Sequence, residues 1–194
     1  MTTTIESGMG SFRFTNGFLL NNQLTDFSVL ASDASGPIGN RVQGNKRPRS
    51  SMSPTLVFAQ ANDGCMGDFV MGTGSPGGAT IIQYVAKTLV GVLDWGLNAQ
   101  QATSMIDFGA ANSVATNVGG EHPNVNIVAP ASGIAGDSDP LVSGLRAIGH
   151  TVSVAAQSSG IGTIVKLQRS GATVLEGGAD PRREGLTLGD TFKP

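Results

Sequence analysis

The chain has 194 residues, of which 39% are hydrophobic and 13% are charged, so we expect one globular domain over residues 1–194. Its formal net charge of −2 gives no overall field that favours nucleic acid or an anionic membrane as a partner. A single cysteine excludes an internal disulfide and a multi-cysteine zinc site.

The first quarter of the chain shows little periodicity. Residues 2–5 are β-prone and predict a strand that is entered partway along its length. Asn16-Gly17, before a short apolar run, predicts a hairpin turn. Residues 28–53 are rich in Ser, Gly, Asn and Pro and contain a cationic cluster, so we expect an ordered loop with a function rather than a flexible linker.

A hairpin is predicted next. Residues 55–60 and 68–72 have the composition of two strands, and the turn at residues 62–64 separates them. Cys65 lies at the head of the second strand, and we expect it to be a small buried residue rather than a nucleophile.

Two helices are predicted to follow the hairpin. The stronger one covers residues 79–93 and ends before Gly96. Its apolar residues are predicted to share one face: Ile81, Ile82, Val85, Leu89, Val92 and Leu93. The second helix is predicted over residues 99–106, with Asn98 as its N-cap.

The last part of the chain mixes irregular and regular segments. Residues 109–138 predict an irregular stretch. Asp139-Pro140 predicts the start of a helix that ends at Ile148, with Gly149 as its stop. A closing meander of three strands is predicted at residues 151–156, 162–168 and 173–176. This order of elements favours an α+β fold with the helices segregated from the sheet.

The sequence predicts neither a membrane span nor a secretory signal. The longest apolar candidate, residues 79–95, is interrupted by Gln83, Lys87 and Asp94, and no run of about 18 apolar residues occurs elsewhere. Met1 is not followed by a basic stretch and an apolar region.

Gly77-Gly78, directly before the stronger helix, is a candidate oxyanion hole. Two consecutive glycines allow two backbone N–H groups to point into one cavity, and the positive end of the helix favours negative charge there. A sharp corner between strand and helix would use the same glycines equally well. A phosphate-binding loop is not indicated, because no Gly-Lys-Ser/Thr ending follows.

Two other polar clusters are candidates for binding a substrate. Gln23 and Asp26 offer acceptors and a negative charge that suit an ammonium group, although an Asx turn would use the same residue types. Ser50 and Ser51, beside the cations of residues 46–49, suit a carboxylate, and a solvated basic turn is the plainer alternative.

Metal and serine-triad chemistry are not predicted. His122 and His150 have no partners at the spacing of metal ligands. Neither histidine lies near a nucleophile elbow, and the sequence around Ser75 does not fit that motif. We expect no metal and no cofactor.

Three motifs carry a family resemblance. Residues 21–27 (NNQLTDF), 46–54 (KRPRSSMSP) and 73–78 (TGSPGG) together resemble, in order and wording, the small subunit of gamma-glutamyltransferases, also called glutathione hydrolases. The resemblance extends from about Thr3 to about Arg183. It implies membership of the N-terminal-nucleophile hydrolases and a partial αββα sandwich that lacks the nucleophile strand and the large subunit.

The resemblance also implies an activity. Such precursors cleave themselves and free a threonine whose own α-amine acts as its base. That threonine attacks the γ-amide of glutathione and related γ-glutamyl compounds, and the γ-glutamyl ester then passes to water or to an amino acid. We expect this threonine to lie upstream of Met1, so that the chain alone is inactive and leaves apolar sheet surface uncovered. The implied partner is the large subunit, and the implied location is periplasmic or secreted.

Residue roles follow from the matching motifs. The resemblance implies that Gln23 and Asp26 bind the substrate α-amino group. It implies that Ser50 and Ser51 donate to the α-carboxylate, to which the family's large subunit adds an arginine. It further implies the following roles: Gly77 and Gly78 as the oxyanion hole, Thr4 as support for the nucleophile, and Glu6 in the amino-group pocket.

Two departures from the family pattern leave alternatives open. Glu6 stands where better-known members have an asparagine, and residues 102–108 lack the usual Pro-Arg-Phe-His wording. One alternative is an acylase acting on β-lactam side chains such as glutaryl-cephalosporin. A second is a non-catalytic fragment that binds amino acids, and a third is a fragment that does not fold.

Overall fold

The computed structural model describes residues 2–5, 13–110, 113–119 and 139–189. The chain divides into two compact units, Met1–Met52 and Ser53–Pro194, which are described separately below.

The first unit consists mainly of turns and two short hairpins. Its described elements are β1 (Phe14–Thr15), β2 (Phe18–Leu19), the 3₁₀ turn Gln23–Asp26, β3 (Ser32–Asp33) and β4 (Gly36–Pro37). The hairpin predicted at Asn16-Gly17 is confirmed: β1 pairs antiparallel with β2. Both turn residues have positive φ, 47° and 82°, the backbone that two-residue hairpins favour.

The segment at residues 2–5 is not a strand, contrary to the prediction. Among the described residues, its backbone pairs through one hydrogen bond, from the Asn22 N–H to the Thr4 carbonyl (3.0 Å), and one such bond does not make a ladder. The long loop at residues 28–53 is ordered by local bonds. Among them, β3 pairs with β4, and the Lys46 ammonium donates to the Gly39 carbonyl.

The second unit is built on a four-stranded antiparallel sheet in the order β11-β10-β6-β5. Its elements are β5 (Thr55–Gln60), β6 (Met66–Gly74), α1 (Ile81–Leu93), α2 (Ala99–Ser104), β7 (Phe108–Gly109), β8 (Thr116–Gly119), α3 (Pro140–Ala147), β9 (Val152–Ala155), β10 (Gly162–Arg169) and β11 (Ala172–Ala179). The core joins sheet and helix through Met71, Ala99 and Val165. The segregated α+β arrangement predicted from the sequence is confirmed.

The other face of this sheet carries exposed apolar side chains beside Lys166. Leu56, Ile164 and Leu175 lie on it, and they are 67%, 48% and 66% exposed. Leu56 and Ile164 both lie opposite Gly72 in the strand register, so they form one row across three strands.

A second sheet, β7-β8-β9, corrects two predictions. Strands β7 and β8 lie in the range 109–138 or at its edge, which was predicted to be irregular; residues 120–138 lie outside the described part. Strand β9 pairs parallel with β8 instead of joining a meander with β10 and β11. The helix α3 precedes β9, and a helical crossover of this kind makes parallel pairing possible.

The helices agree with the prediction at their caps and differ in detail. Asn98 caps α2 in a capping box with Gln101, and Asp139 accepts from the Leu141 N–H (2.8 Å) at the start of α3. Helix α1 follows a 3₁₀ turn, Gly78–Thr80. The predicted apolar face of α1 is wrong for two members, because Ile82 and Leu93 are 55% and 49% exposed.

Cys65 is exposed, so the prediction of a buried residue is wrong. It lies in the turn between β5 and β6, where its N–H donates to the Asp63 carboxylate (3.0 Å), and a turn at the tip of a hairpin projects from the core. In the described part of the chain, no helix is both long enough and apolar enough to cross a membrane.

Candidate functional site

Thr4, Gln23 and Asp26 form one polar cluster in the first unit. The Thr4 hydroxyl lies 3.2 Å from Gln23 Oε1 and 3.3 Å from Asp26 Oδ2. Gln23 Nε2 lies 3.4 Å from the same carboxylate oxygen. All three residues are half-buried, so their oxygens are held in place while still reachable by a small molecule. Three of the predicted site residues are therefore neighbours.

The turn that carries Gln23 and Asp26 is held by other residues. Asn21 Oδ1 accepts from the Gln23 N–H (3.1 Å), and the Thr25 hydroxyl donates to the Asn22 carbonyl (2.8 Å). The Asx turn that the sequence left as an alternative is thus made by Asn21. Because this turn uses the Asn21 side chain, the side chains of Gln23 and Asp26 remain in the cluster with Thr4.

Asn40 connects this turn to the segment that carries Ser50 and Ser51. No sequence motif indicated a role for Asn40. Its amide nitrogen donates to the Asp26 carbonyl (2.7 Å), and its amide oxygen accepts from the Arg49 N–H (2.9 Å). Both contacts are to backbone groups, so Asn40 fixes the backbone at Asp26 and at Arg49. Asn40 itself belongs to no recognisable motif. It holds Asp26 and Ser50 in one framework.

Met52, which directly follows Ser50 and Ser51 in the chain, contacts the same cluster. The Met52 sulfur lies 3.6 Å from the Thr2 hydroxyl and 4.0 Å from the Thr4 hydroxyl, at the range of weak sulfur hydrogen bonds. Ser50 Oγ accepts from the Met52 N–H (3.2 Å), and Ser51 is half-buried. Glu6 lies outside the described residues.

Gly77 and Gly78 lie in the second unit, at the corner between β6 and α1. Their φ angles are 137° and 60°, so both positions require the conformational freedom of glycine. Among the described residues of this unit, neither N–H has a hydrogen-bond acceptor. The corner alternative is therefore realised in the structure, and it also leaves two backbone donors available beside the first turn of a helix.

A buried ion-pair network in the second unit was not predicted. The Asp107 carboxylate, 0% exposed, lies 2.9 Å from the Lys87 ammonium and 3.0 Å from the Arg182 guanidinium. Arg182 also pairs with Asp180 at 2.6 Å. The sequence showed Lys87 only as an interruption of an apolar helix, because its partners lie 20 and more positions further along the chain.

Asp180 extends this network to the segment before β10. Its Oδ2 accepts from the Ser159 hydroxyl and from the Ile161 N–H, both at 2.9 Å. Burial raises the pKa of Asp180, but hydrogen bonds from Arg182 and from the Ile161 N–H outweigh burial, so its pKa lies below the ordinary value. Burial lowers the pKa of Lys87, although the charge of Asp107 opposes this shift. The network is a structural brace made of charges.

The described residues contain no group of three or more His, Cys, Asp or Glu side chains that could hold a metal ion. His150 Nδ1 lies 3.0 Å from the Thr116 hydroxyl. His122 lies outside the described residues.

Comparison with known proteins gives a consistent assignment. A sequence model of the gamma-glutamyltranspeptidase family matches residues 1–189. The glutathione hydrolase proenzyme of Bacillus subtilis is 31% identical over 196 residues, which cover 99% of this chain and 28% of that protein. The corresponding proenzyme of Escherichia coli is 42% identical over 102 residues, which cover 50% of this chain and 17% of that protein. The chain therefore spans less than a third of the length of these relatives.

Solved structures agree with the sequence relatives. An acivicin-inhibited gamma-glutamyltranspeptidase superposes with a TM-score of 0.69 at 28% identity, over 95% of this chain and 92% of that chain. The T380A mutant of the Helicobacter pylori gamma-glutamyltranspeptidase gives a TM-score of 0.68 at 28% identity, over 94% of this chain and 92% of that chain. The chain belongs to the gamma-glutamyltranspeptidase family and has the fold of the N-terminal-nucleophile hydrolases.

Proposed function

We propose that this chain is the small-subunit part of a glutathione hydrolase or gamma-glutamyltransferase, and that it supplies the substrate pocket and the oxyanion hole. The observation that carries the proposal is the family match over residues 1–189, within which both clusters described above fall. The two compact units are, on this proposal, parts of one domain. The substrate class is a small γ-glutamyl compound such as glutathione.

The first-unit cluster suits the α-amino end of such a substrate. A carboxylate and an amide oxygen lie side by side in Asp26 and Gln23, and an ammonium group gains charge-assisted hydrogen bonds from such a pair. The hydroxyls of Ser50 and Ser51 are suited to the α-carboxylate. On this proposal Thr4, whose hydroxyl contacts both Gln23 and Asp26, supports the nucleophile.

The second-unit corner suits the charge that develops during acyl transfer. Attack on the γ-amide carbonyl creates an oxyanion, and two fixed N–H donors stabilise it most when no water competes. Gly77 and Gly78 provide such donors. Each donor of this kind contributes about 2.7–4 kcal/mol to lowering the barrier.

The catalytic threonine and the large subunit are assigned to the rest of the proenzyme. We propose that this part of the proenzyme also covers the open sheet face formed by Leu56, Ile164 and Leu175. The isolated chain is then inactive, because its pocket has no N-terminal threonine to attack the substrate.

Reconstitution tests this assignment. In the reconstituted proenzyme, residues 1–194 replace the matching segment of the Bacillus subtilis glutathione hydrolase proenzyme. We expect it to process itself and to hydrolyse γ-glutamyl-p-nitroanilide, while the isolated chain is at least about 10³-fold slower. Turnover by the isolated chain at the reconstituted rate would contradict the assignment. Faster hydrolysis of glutaryl-cephalosporin than of glutathione would favour the acylase alternative instead.

Asp26→Ala tests the amino-group pocket. We expect KM for γ-glutamyl-p-nitroanilide to rise about 10- to 100-fold in the reconstituted proenzyme, because a hydrogen bond to a charged group contributes about 1.5–3 kcal/mol. Asp33→Ala is the matched control, since Asp33 is an exposed carboxylate of the same unit that accepts a local turn bond from the Ser35 N–H (2.8 Å). Equal KM values for the two variants would refute the role of Asp26.

A further inference from the structure

Tyr84 lies directly behind the Gly77 corner. Its side chain is 1% exposed, and a Cβ added at Gly77 would lie 2.5 Å from Tyr84 Cε2 and 3.4 Å from the Ser158 carbonyl oxygen. The ring and the Ser158 carbonyl therefore occupy the space that a side chain would need. Gly77 is glycine both because of its φ and because Tyr84 packs against its backbone.

The Tyr84 hydroxyl is connected to the Gly77 carbonyl by one side chain. The Thr80 hydroxyl lies 2.7 Å from the Gly77 carbonyl oxygen and 2.8 Å from the Tyr84 hydroxyl. The Tyr84 hydroxyl is also 3.1 Å from Gln157 Oε1 and accepts from the Ser158 N–H (3.3 Å). The phenol thus links the glycine corner to the segment that precedes β10.

The same segment holds the other end of the corner. Ser75 Oγ accepts from the Gly160 N–H at 3.1 Å. The corner at residues 75–80 is therefore attached to residues 157–160 at two points, through Ser75 and through Tyr84. A corner fixed at both ends resists the rotations that its glycines would otherwise allow.

The Gly77 carbonyl matters because it shares a peptide plane with the Gly78 N–H. The peptide group is planar and trans, so its carbonyl and its N–H point in opposite directions. The Thr80 hydroxyl and the Thr80 N–H (3.3 Å) both hold the Gly77 carbonyl oxygen, so the Gly78 N–H points away from Thr80. With glycine on both sides of this bond, few steric barriers oppose a flip of the peptide.

We propose that Tyr84 is a positioning residue for the oxyanion hole, which it serves by holding the Gly77–Gly78 peptide in the donating orientation through Thr80. This inference rests on the proposed function of Gly77 and Gly78. Tyr84 does not touch the substrate, so its loss weakens stabilisation of the transition state and leaves binding of the substrate unchanged.

Substitutions in the reconstituted proenzyme test the inference. We expect Tyr84→Phe and Thr80→Val each to lower kcat about 10- to 100-fold with KM unchanged, because a small misplacement of a catalytic group has an effect of this size. Thr80→Ser keeps the hydroxyl and should retain most of kcat. The double variant should lose little more than either single variant, because both break the same chain of hydrogen bonds.

Thr88→Val is the control for the loss of a buried hydroxyl from α1. Thr88 is 0% exposed and donates to the Tyr84 carbonyl (2.9 Å), away from the glycine corner. If Tyr84 has a purely structural role, Tyr84→Phe and Thr88→Val should lower the melting temperature by similar amounts and should have similar kcat values. Equal kcat values for these two variants would overturn the inference, while leaving the proposed function in place if the wild-type protein turns over.

If the wild-type reconstituted proenzyme has no turnover, a second measurement tests the positioning role of Tyr84 separately from the proposed function. In the isolated chain, labelled with ¹⁵N, Tyr84→Phe and Thr80→Val should move the Gly78 amide resonance, and Thr88→Val should not. That pattern supports the positioning role even though the proposed function has failed. An unchanged Gly78 resonance in both Tyr84→Phe and Thr80→Val overturns the inference.

Discussion

Gly77→Ala should lower kcat of the reconstituted proenzyme by about 10²–10³-fold, the effect of losing an oxyanion-hole donor. Alanine rarely adopts φ of 137°, and its Cβ would lie 2.5 Å from the Tyr84 ring. The backbone must therefore move, and both N–H groups lose their direction. We also expect the free energy of unfolding to fall by about 1–3 kcal/mol, the usual cost of a strained backbone conformation.

Gly74→Ala is the matched control. It changes a glycine at the end of β6, where the nearest atom to an added Cβ is Pro54 Cα at 3.9 Å. It should leave kcat within about twofold of the wild-type value, because no backbone shift is required. If Gly77→Ala retained wild-type kcat, the oxyanion-hole assignment would be wrong whatever its effect on stability.

Asp107→Ala should destabilise the second unit by about 3–5 kcal/mol, because it leaves the buried Lys87 ammonium without its carboxylate and removes one of the two carboxylates that pair with Arg182. Lys87 and Arg182 are almost fully buried, with side-chain exposures of 3% and 2%. Neither can reach water without opening the packing of α1 against residues 103–107. Urea denaturation followed by circular dichroism measures this loss.

Asp68→Ala provides a control at the same distance. The Lys166 ammonium lies 2.9 Å from the Asp68 carboxylate, as Lys87 does from Asp107, but Asp68 is 84% exposed. We expect a loss of about 0–1 kcal/mol, because water solvates either group after the other is removed. Equal losses for Asp107→Ala and Asp68→Ala would show that the buried network does not brace the fold.

The same network gives stability a dependence on pH. The pKa of Asp180 in the folded state lies below its ordinary value of 3.8, so its contribution is present above 3.8 and is lost as pH falls through the lower, folded value. The pKa of Lys87 lies below 10.5 in the folded state. Between that lowered value and 10.5 the unfolded chain binds more protons, so stability rises with pH there. Asp180→Asn should reduce the loss of stability at acid pH and leave the rise of stability at alkaline pH in place.

Local signals in the sequence predicted local structure well. Asn16-Gly17 specified a hairpin because it supplies two positive φ angles, and Asn98 and Asp139 specified helix starts because their side chains cap free N–H groups. Strand β9 was assigned to the wrong sheet, since its partner is chosen by the packing of α3 rather than by its own residues. Cys65 was assigned to the core because it was interpreted as the head of a strand, whereas it lies in the turn that precedes β6 and is exposed.

The candidate site was predictable to the extent that it follows motifs. Gln23 and Asp26 belong to one motif, and Thr4, which was assigned from the family resemblance, lies beside them in the structure although it is about 20 residues away in the chain. Asn40 was not predicted because its contacts are to the backbone of Asp26 and Arg49, and Tyr84 was not predicted because its hydroxyl acts on Gly77 through Thr80. The side chains of such residues carry no motif, so only the folded structure shows which backbone groups they position.

The most direct test of the account is a crystal structure of the processed, reconstituted enzyme with a γ-phosphonate analogue of glutamate on its nucleophile. We expect one phosphonyl oxygen to lie about 2.7–3.1 Å from the N atoms of both Gly77 and Gly78, with the analogue's ammonium group on Asp26. A phosphonyl oxygen held by other donors, with the Gly77–Gly78 peptide turned away, would contradict the account.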